Sequence, residues 1–153
     1  MIEMTKIVRT ISSLVYPLTI IFGAFMIMHG HLTPGGGFQG GAIIASGIAL
    51  VIVAYGSEAS KDFFSSEKLA KYTGIGSMGF AVIGVIAIAL GYAFLHNYLL
   101  GTQLFGYVPD GINQGFINSA GIEPPIEIMV GIAVSCGLGL IIYMFSQLGE
   151  VEE

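Results

Sequence analysis

Charged side chains are missing from a long part of this sequence. Between Thr10 and Ser57 there is no Asp, Glu, Lys or Arg, and only 10% of all 153 residues are charged. Soluble domains carry about 25% charged residues, and a charge-free surface of this size would aggregate in water. The composition therefore excludes a soluble protein. With 54% hydrophobic residues and a mean hydropathy of +0.84, the chain is predicted to be an integral membrane protein.

Other scarcities exclude further classes of protein. The single cysteine, Cys136, cannot form an internal disulfide, and five basic residues are too few to make a nucleic-acid-binding surface. The phosphate-binding pattern GxxxxGK[ST] is absent. The residues also offer no nucleophile–base pair and no set of metal ligands. We therefore expect no enzymatic activity in this chain, no cofactor, no metal site and no nucleic-acid partner.

Four apolar segments are long enough to cross a bilayer, which takes roughly 20 residues per helix. They lie at about 11–28, 38–55, 72–95 and 126–145, separated by a polar loop at 57–71 and a long connection at 97–123. Pro124 and Pro125 suit the first turn of the last helix. The sequence predicts one all-α membrane domain with four transmembrane helices.

The basic residues predict the orientation of these helices. All five precede the first span or lie in the 57–71 loop, which are on one side of the membrane in a four-span protein: Lys6, Arg9, Lys61, Lys68 and Lys71. Because positive charge is enriched on the cytoplasmic side, we expect both termini and this loop in the cytoplasm. The 97–123 connection is then expected on the outer side of the cytoplasmic membrane.

Small residues recur every four positions within the spans, as in Gly131, Ser135 and Gly139. Ala87 and Gly91 repeat the spacing in the third span. Such stripes let helix backbones approach closely, although glycine is also simply common in membrane helices. Because four helices cannot use all these stripes on one another, we expect partner helices from other membrane subunits.

The segment HGHLTPGGGFQGG, residues 29–41, separates the first two spans. Pro34 lacks a backbone donor, and each following glycine costs about 1 kcal/mol relative to alanine in a helix, so the helix must stop here. One interpretation is a tight hairpin with a close helix crossing. The other is a broken span whose free backbone groups line a polar cavity, as in ion paths. Phe38 is expected to fill a pocket formed by neighbouring helices.

Three titratable residues are candidates for a polar lining. Glu127 lies near the start of the fourth span, where a carboxylate is costly and often functional. A simpler explanation is its place near a helix N-terminus, worth roughly 0.3–1 kcal/mol. His29 and His31 flank Gly30 without a nearby ligand, which favours hydrogen bonds at a helix end or a proton path over metal binding. The spans carry no central Lys or Glu, which indicates a supporting part of a transporter.

The break also carries a family resemblance. Followed by the apolar helix AIIASGIALVIVAY, it resembles the B subunit of Mrp-type multisubunit cation/proton antiporters, the MnhB-related family. The matching residues are Gly30, His31, Pro34, Gly35, Gly36, Gly37, Phe38, Gly40 and Gly41. The resemblance implies a non-catalytic subunit of a complex that exchanges Na⁺ for H⁺, with the other membrane subunits of the antiporter module as partners.

The resemblance leaves the host complex open. Related B-type subunits occur in redox-driven complexes such as energy-converting hydrogenases and their sulfur-reducing relatives, so redox subunits are alternative partners. From the broken span and the placement of Glu127, we expect residues 34–41 to shape an interface or ion-path wall lined by Glu127, His31 and His29. Two rival interpretations are a purely structural scaffold and a stand-alone small transporter. The scarcity of charge within the spans argues against the second. The outer connection is long for the family.

Overall fold

The computed structural model describes residues 4–61, 63–107 and 116–151. The helices are α1 (Lys6–Met28), α2 (Gly37–Tyr55), α3 (Ser57–Ser60), α4 (Ser66–Ala89) and α5 (Glu123–Val151). All but α3 are long and apolar enough to cross a membrane. Within the described ranges no strand forms, and one isolated bridge joins Tyr107 to Ser119. The predicted all-α fold with four membrane-spanning helices is confirmed.

Helix α4 is displaced along the sequence from the predicted third span, since it covers Ser66–Ala89 rather than about 72–95. It begins early because the side chain of Ser65 accepts a hydrogen bond from the Lys68 backbone N–H at 3.3 Å. Much of the polar segment 57–71 is therefore helical.

At the other end of α4, the Tyr92 N–H donates to the Ala87 carbonyl and the Gly91 N–H to Ile88, with Gly91 at φ +88°. This pattern is a Schellman motif, in which a left-handed glycine ends the helix. Gly91 therefore lies in the turn after α4 and does not form a helical stripe with Ala87.

Helices α2 and α5 form the centre of the fold. Helix α1 packs on α2, α2 packs on α5, and among the described helices the backbone of α4 closely approaches that of α5 alone. Glycines allow these approaches: a Cβ atom on Gly40 would lie 2.6 Å from the Gly23 carbonyl oxygen of α1, and one on Gly41 would lie 2.9 Å from the Gly131 carbonyl oxygen of α5. Gly131, one of the small residues identified by spacing, thus serves packing within the chain itself.

The hydrophobic core lies where side chains of α2, α4 and α5 meet. Its buried members are Ile48, Ile52, Leu69 and Tyr143. Tyr143 is 1% exposed, and its hydroxyl accepts a hydrogen bond from Gln147 Nε2 at 3.3 Å. This core lies toward the end of the fold opposite the glycine-rich break.

The connection between α4 and α5 consists of turns where it is described. Asn97 ties it together, because its Nδ2 donates to the Ala120 carbonyl at 2.8 Å and its Oδ1 accepts from the Ile122 N–H at 3.0 Å. Its exposed apolar side chains include Leu100, Leu104 and Phe116. Asp110, an acidic residue of this connection, lies outside the described residues.

Candidate functional site

The glycine-rich segment forms the non-helical connection between two membrane-spanning helices. Helix α1 ends at Met28 and α2 begins at Gly37. Gly35 and Gly36 have φ values of +151° and +126°, which L side chains rarely adopt, so glycine is required at these two positions. The first N–H groups of α2 have no acceptor within their own helix. An acceptor must therefore come from elsewhere.

Glu127 of α5 supplies that acceptor. Its Oε2 accepts a hydrogen bond from the Gly37 N–H, the first residue of α2. A carboxylate at a helix N-terminus is favourable because the helix dipole and the free N–H groups both attract negative charge. The simpler explanation of Glu127 from sequence invokes the N-terminus of its own helix. Its side chain is instead bonded to the N-terminus of α2.

Three glycines make room for this carboxylate. A Cβ atom on Gly30 would lie 2.5 Å from Glu127 Cδ, and one on Gly36 would lie 2.5 Å from Glu127 Oε2. A Cβ atom on Gly37 would overlap the backbone carbonyl of Glu127 and lie 2.9 Å from Val130 Cβ. From sequence, Gly30 belongs only to the family pattern. Its contact with Glu127 joins two distant parts of the chain, so no local pattern predicts it.

The two histidines of the break differ in their hydrogen-bond partners. His29 ends α1, and its Nδ1 lies 3.2 Å from the Phe25 carbonyl oxygen while its ring stacks on Phe25 at a centroid distance of 4.1 Å. His31 has both ring nitrogens buried, and neither has a hydrogen-bond partner among the described residues. Buried polar atoms are nearly always hydrogen-bonded, so His31 is expected to have a hydrogen-bond partner that the described residues do not supply.

The remaining motif residues orient α2 rather than line the break. Gly40 faces α1 and Gly41 faces α5, so this pair seats α2 between its two neighbours. Pro34 is exposed, and the side chain of Phe38 is 60% exposed on the surface of the chain, which differs from the expectation that Phe38 fills a pocket. Over the described residues, no three of His, Cys, Asp and Glu come together as a metal site.

Comparison with known proteins identifies the family. The family model described as a domain related to the MnhB subunit of Na⁺/H⁺ antiporter matches residues 7–140. An uncharacterised protein of Methanocaldococcus jannaschii is 33% identical over 94% of the chain, and the B subunit of the Na⁺/H⁺ antiporter of Bacillus subtilis is 31% identical over 66% of it. The chain spans about half the length of the first relative, 53%, and 66% of the second.

A solved structure gives the same result in three dimensions. A chain of the membrane-bound sulfane sulfur reductase, an archaeal respiratory membrane complex, superposes with a TM-score of 0.73 and 31% identity. The match covers 94% of this chain and 59% of that one. The resemblance carried by residues 30–41 is therefore confirmed across most of the sequence. This chain belongs to the family of domains related to the MnhB subunit of Na⁺/H⁺ antiporters.

Proposed function

We propose that this chain is a non-catalytic membrane subunit of a multisubunit complex that exchanges Na⁺ for H⁺, and that its glycine-rich break forms part of the ion-path wall. The observation that carries the proposal is the position of Glu127. A carboxylate from α5 enters the interruption between α1 and α2 and bonds to the Gly37 N–H. Ionisable groups and irregular backbone at membrane depth are typical of ion paths.

His31 supports the same assignment. Its two buried ring nitrogens have no partner among the described residues, whereas His29 is engaged with Phe25. A water, an ion or a side chain of a neighbouring subunit that satisfies His31 would extend the polar surface from Glu127 to the edge of the chain. His29 then belongs to the helix end rather than to the path.

The orientation proposed for the chain follows from charge. All five basic residues lie before the charge-free part of α1 or in residues 57–71, at the end of the fold opposite the break. By the positive-inside rule, both termini are cytoplasmic and the break lies toward the outer side of the membrane.

Two host assemblies are compatible with the family. The Bacillus subtilis relative is named as part of a Na⁺/H⁺ antiporter, which supports a dedicated exchanger. A chain of the membrane-bound sulfane sulfur reductase superposes on 94% of this chain, which supports a redox-linked respiratory complex as a second candidate host. Mass spectrometry of chains that co-purify in mild detergent distinguishes them, because redox subunits are expected only in the second.

Replacement of Glu127 by glutamine tests the ion-path role. The glutamine side-chain oxygen can still accept the Gly37 N–H bond, but the negative charge is lost. We expect Glu127→Gln to assemble normally and to slow Na⁺-dependent proton exchange in membrane vesicles about tenfold, which corresponds to about 1.4 kcal/mol on the barrier. Glu123→Gln is the matched control, since Glu123 is exposed at the start of the same helix.

The scaffold interpretation predicts a different result from the same variants. If the hydrogen bond to Glu127 only holds α5 against α2, a complex with Glu127→Gln should exchange ions at the wild-type rate. Glu127→Ala then fails to assemble, because it leaves the Gly37 N–H buried without an acceptor. That pair of results would overturn the proposed ion-path role while leaving the membership of a membrane complex intact.

A further inference from the structure

The chain stays uncharged well beyond the end of α4. Between Lys71 and Asp110 the sequence has no Asp, Glu, Lys or Arg. The helical part of this run, from Tyr72 to Ala89, is about 27 Å long at 1.5 Å per residue, which is close to the hydrocarbon thickness of a bilayer. Residues 90–109 are uncharged as well, although crossing the bilayer does not require them. An apolar environment is therefore expected for the start of the connection.

After α4 ends, the chain turns back along the helix instead of leaving it. The ring of Phe94 lies over Gly84, where an added Cβ atom would come within 2.6 Å of Phe94 Cζ. The Tyr98 hydroxyl donates a hydrogen bond to the Ile83 carbonyl oxygen at 3.5 Å. Ile83 and Gly84 lie roughly 8 Å before the end of the helix. Residues 91–98, here named the fold-back segment, thus send side chains back to the level of a membrane-spanning helix.

The backbone of the fold-back segment is partly hydrogen-bonded within the chain. The His96 N–H donates to the Ala93 carbonyl oxygen at 3.0 Å, and the Tyr98 N–H donates to the His96 carbonyl oxygen at 2.9 Å. Backbone groups without a partner cost several kcal/mol in hydrocarbon, so a non-helical segment exposed to lipid must lie where water still reaches it. The segment is therefore suited to the boundary between acyl chains and headgroups rather than to the bilayer centre.

The exposed side chains of the segment are of the type found at this boundary. Tyr92 is 52% exposed and Phe94 is 50% exposed. The Tyr92 ring stacks on the His96 ring with centroids 4.4 Å apart and planes 15° apart. Aromatic side chains with a polar tip are enriched at the level of the headgroups, where one end is apolar and the other is wet.

The adjoining surface of α4 favours lipid over a partner helix as the neighbour. Close packing of membrane helices uses small residues. Gly84 and Ala87 are both buried, Gly84 beneath the Phe94 ring and Ala87 with 0% exposure. The exposed side chains of this part of α4 include large aliphatic ones: Val82, Val85, Ile86, Ile88 and Leu90. Among the described helices, the backbone of α4 closely approaches that of α5 alone.

We propose that the fold-back segment lies in the membrane boundary at this end of α4, with the Phe94 ring among acyl chains and the Tyr92 and His96 rings at headgroup level. The partner of this surface is the phospholipid of the bilayer, contacted through its acyl chains whatever its headgroup charge. The inference rests on membrane embedding and not on the ion-path role of Glu127.

The chain contains no tryptophan, so a single introduced one reports its own depth. The full chain is reconstituted into vesicles whose phospholipids carry bromine, a short-range quencher, either near the headgroup or near the chain ends. We expect the emission of Phe94→Trp to fall about twofold with bromine near the headgroup and less with bromine near the chain ends, because the ring lies roughly 8 Å below the end of α4. Met78→Trp, 70% exposed and nearer the middle of α4, should show the opposite preference.

A second substitution tests the turn back along α4. Gly84→Ala places a methyl group where the Phe94 ring lies, so in the Phe94→Trp chain it should reduce quenching by bromine near the headgroup. Gly74→Ala is the matched control, since a Cβ atom there meets nothing within 4 Å. Equal effects of the two alanines would overturn the proposed seating of residue 94. Quenching of Phe94→Trp by iodide in the water, with none by either brominated lipid, would overturn the membrane placement itself.

The assembled complex requires a test that ignores the tryptophans of other subunits. Benzoylphenylalanine, a photoreactive aromatic residue, is introduced at position 94 and irradiated in intact membranes before the complex is purified. We expect the mass of this chain to increase by that of a phospholipid. Cross-linking to another subunit in place of lipid would overturn the proposal, because a protein would then cover the fold-back segment.

Discussion

Two glycines of α4 offer a matched test of how this helix is held. A Cβ atom on Gly76 would lie 2.6 Å from both the Ala133 backbone N and the Met129 carbonyl oxygen of α5, whereas a Cβ atom on Gly74 meets nothing within 4 Å. Backbone atoms cannot swing aside as a side chain can. Gly76→Ala must therefore push α4 away from α5 by about 0.8 Å, a gap that forfeits a quarter to a half of each contact's dispersion energy.

The two substitutions are expected to change the stability of the fold in opposite directions. Gly74→Ala should stabilise the helix by roughly 0.5–1 kcal/mol, because alanine loses less conformational entropy than glycine. Gly76→Ala gains the same amount, but overpacking costs about 1–3 kcal/mol or more, and among the described helices α4 closely approaches only α5. Because both variants gain the same helix term, they should differ by the overpacking cost alone, about 1–3 kcal/mol. For a chain of this size that difference corresponds to about 2–12 °C in apparent melting temperature.

The assay is thermal unfolding of the full chain in detergent extracts, followed by size-exclusion chromatography of a fluorescent fusion. Both variants carry the same chemical change two positions apart in one helix, so differences in expression or detergent affinity largely cancel. Equal melting temperatures for the two variants would refute the reasoning. In that case α4 would tolerate added volume on either face, and the close approach to α5 would contribute nothing to stability.

Two further predictions concern the break and the orientation. His31→Phe should preserve assembly, because an aromatic side chain stays in place and the two ring nitrogens that are lost have no hydrogen-bond partner among the described residues, yet it should slow Na⁺-dependent proton exchange. His29→Phe is the control, and an equal loss in both variants would contradict the assignment. The orientation can be tested with single cysteines introduced at exposed Gln103 or exposed Lys68 in a Cys136→Ser background. An impermeant thiol reagent added to intact cells should label the cysteine at position 103 and spare the one at position 68. The reverse pattern would show that the proposed topology is inverted.

The four spans could be predicted from sequence because a long charge-free run has few alternatives to a membrane helix. The bounds of α4 could not be predicted in this way. Hydropathy locates apolar residues, whereas the hydrogen bond to the Ser65 side chain sets where the helix begins. Ser65 and Gly91 are local signals that a search for caps could have found. Hydropathy alone therefore predicts that a helix exists better than it predicts where the helix ends.

The candidate site could likewise be predicted from sequence only in part. Glu127 was identifiable because a carboxylate in an apolar run is costly. The hydrogen-bond donor to Glu127 could not be identified from sequence. The Gly37 N–H belongs to a helix far away in the sequence, and the start of any helix offers similar donors. The exposure of Phe38 was also beyond prediction, since sequence cannot distinguish a pocket within the chain from one on a neighbouring subunit.

The spatial order of the helices differs from their order of synthesis. The ribosome produces α1, α2, α4 and then α5, but α5 lies between α2 and α4 in the folded chain. Until α5 enters the bilayer, the α1–α2 hairpin and α4 have little to hold them together, and the Gly37 N–H has no carboxylate. Insertion of α5 thus joins the α1–α2 hairpin to α4 and supplies the carboxylate of the polar site in one step. The assembly of these helices is therefore expected to depend on the insertion of α5.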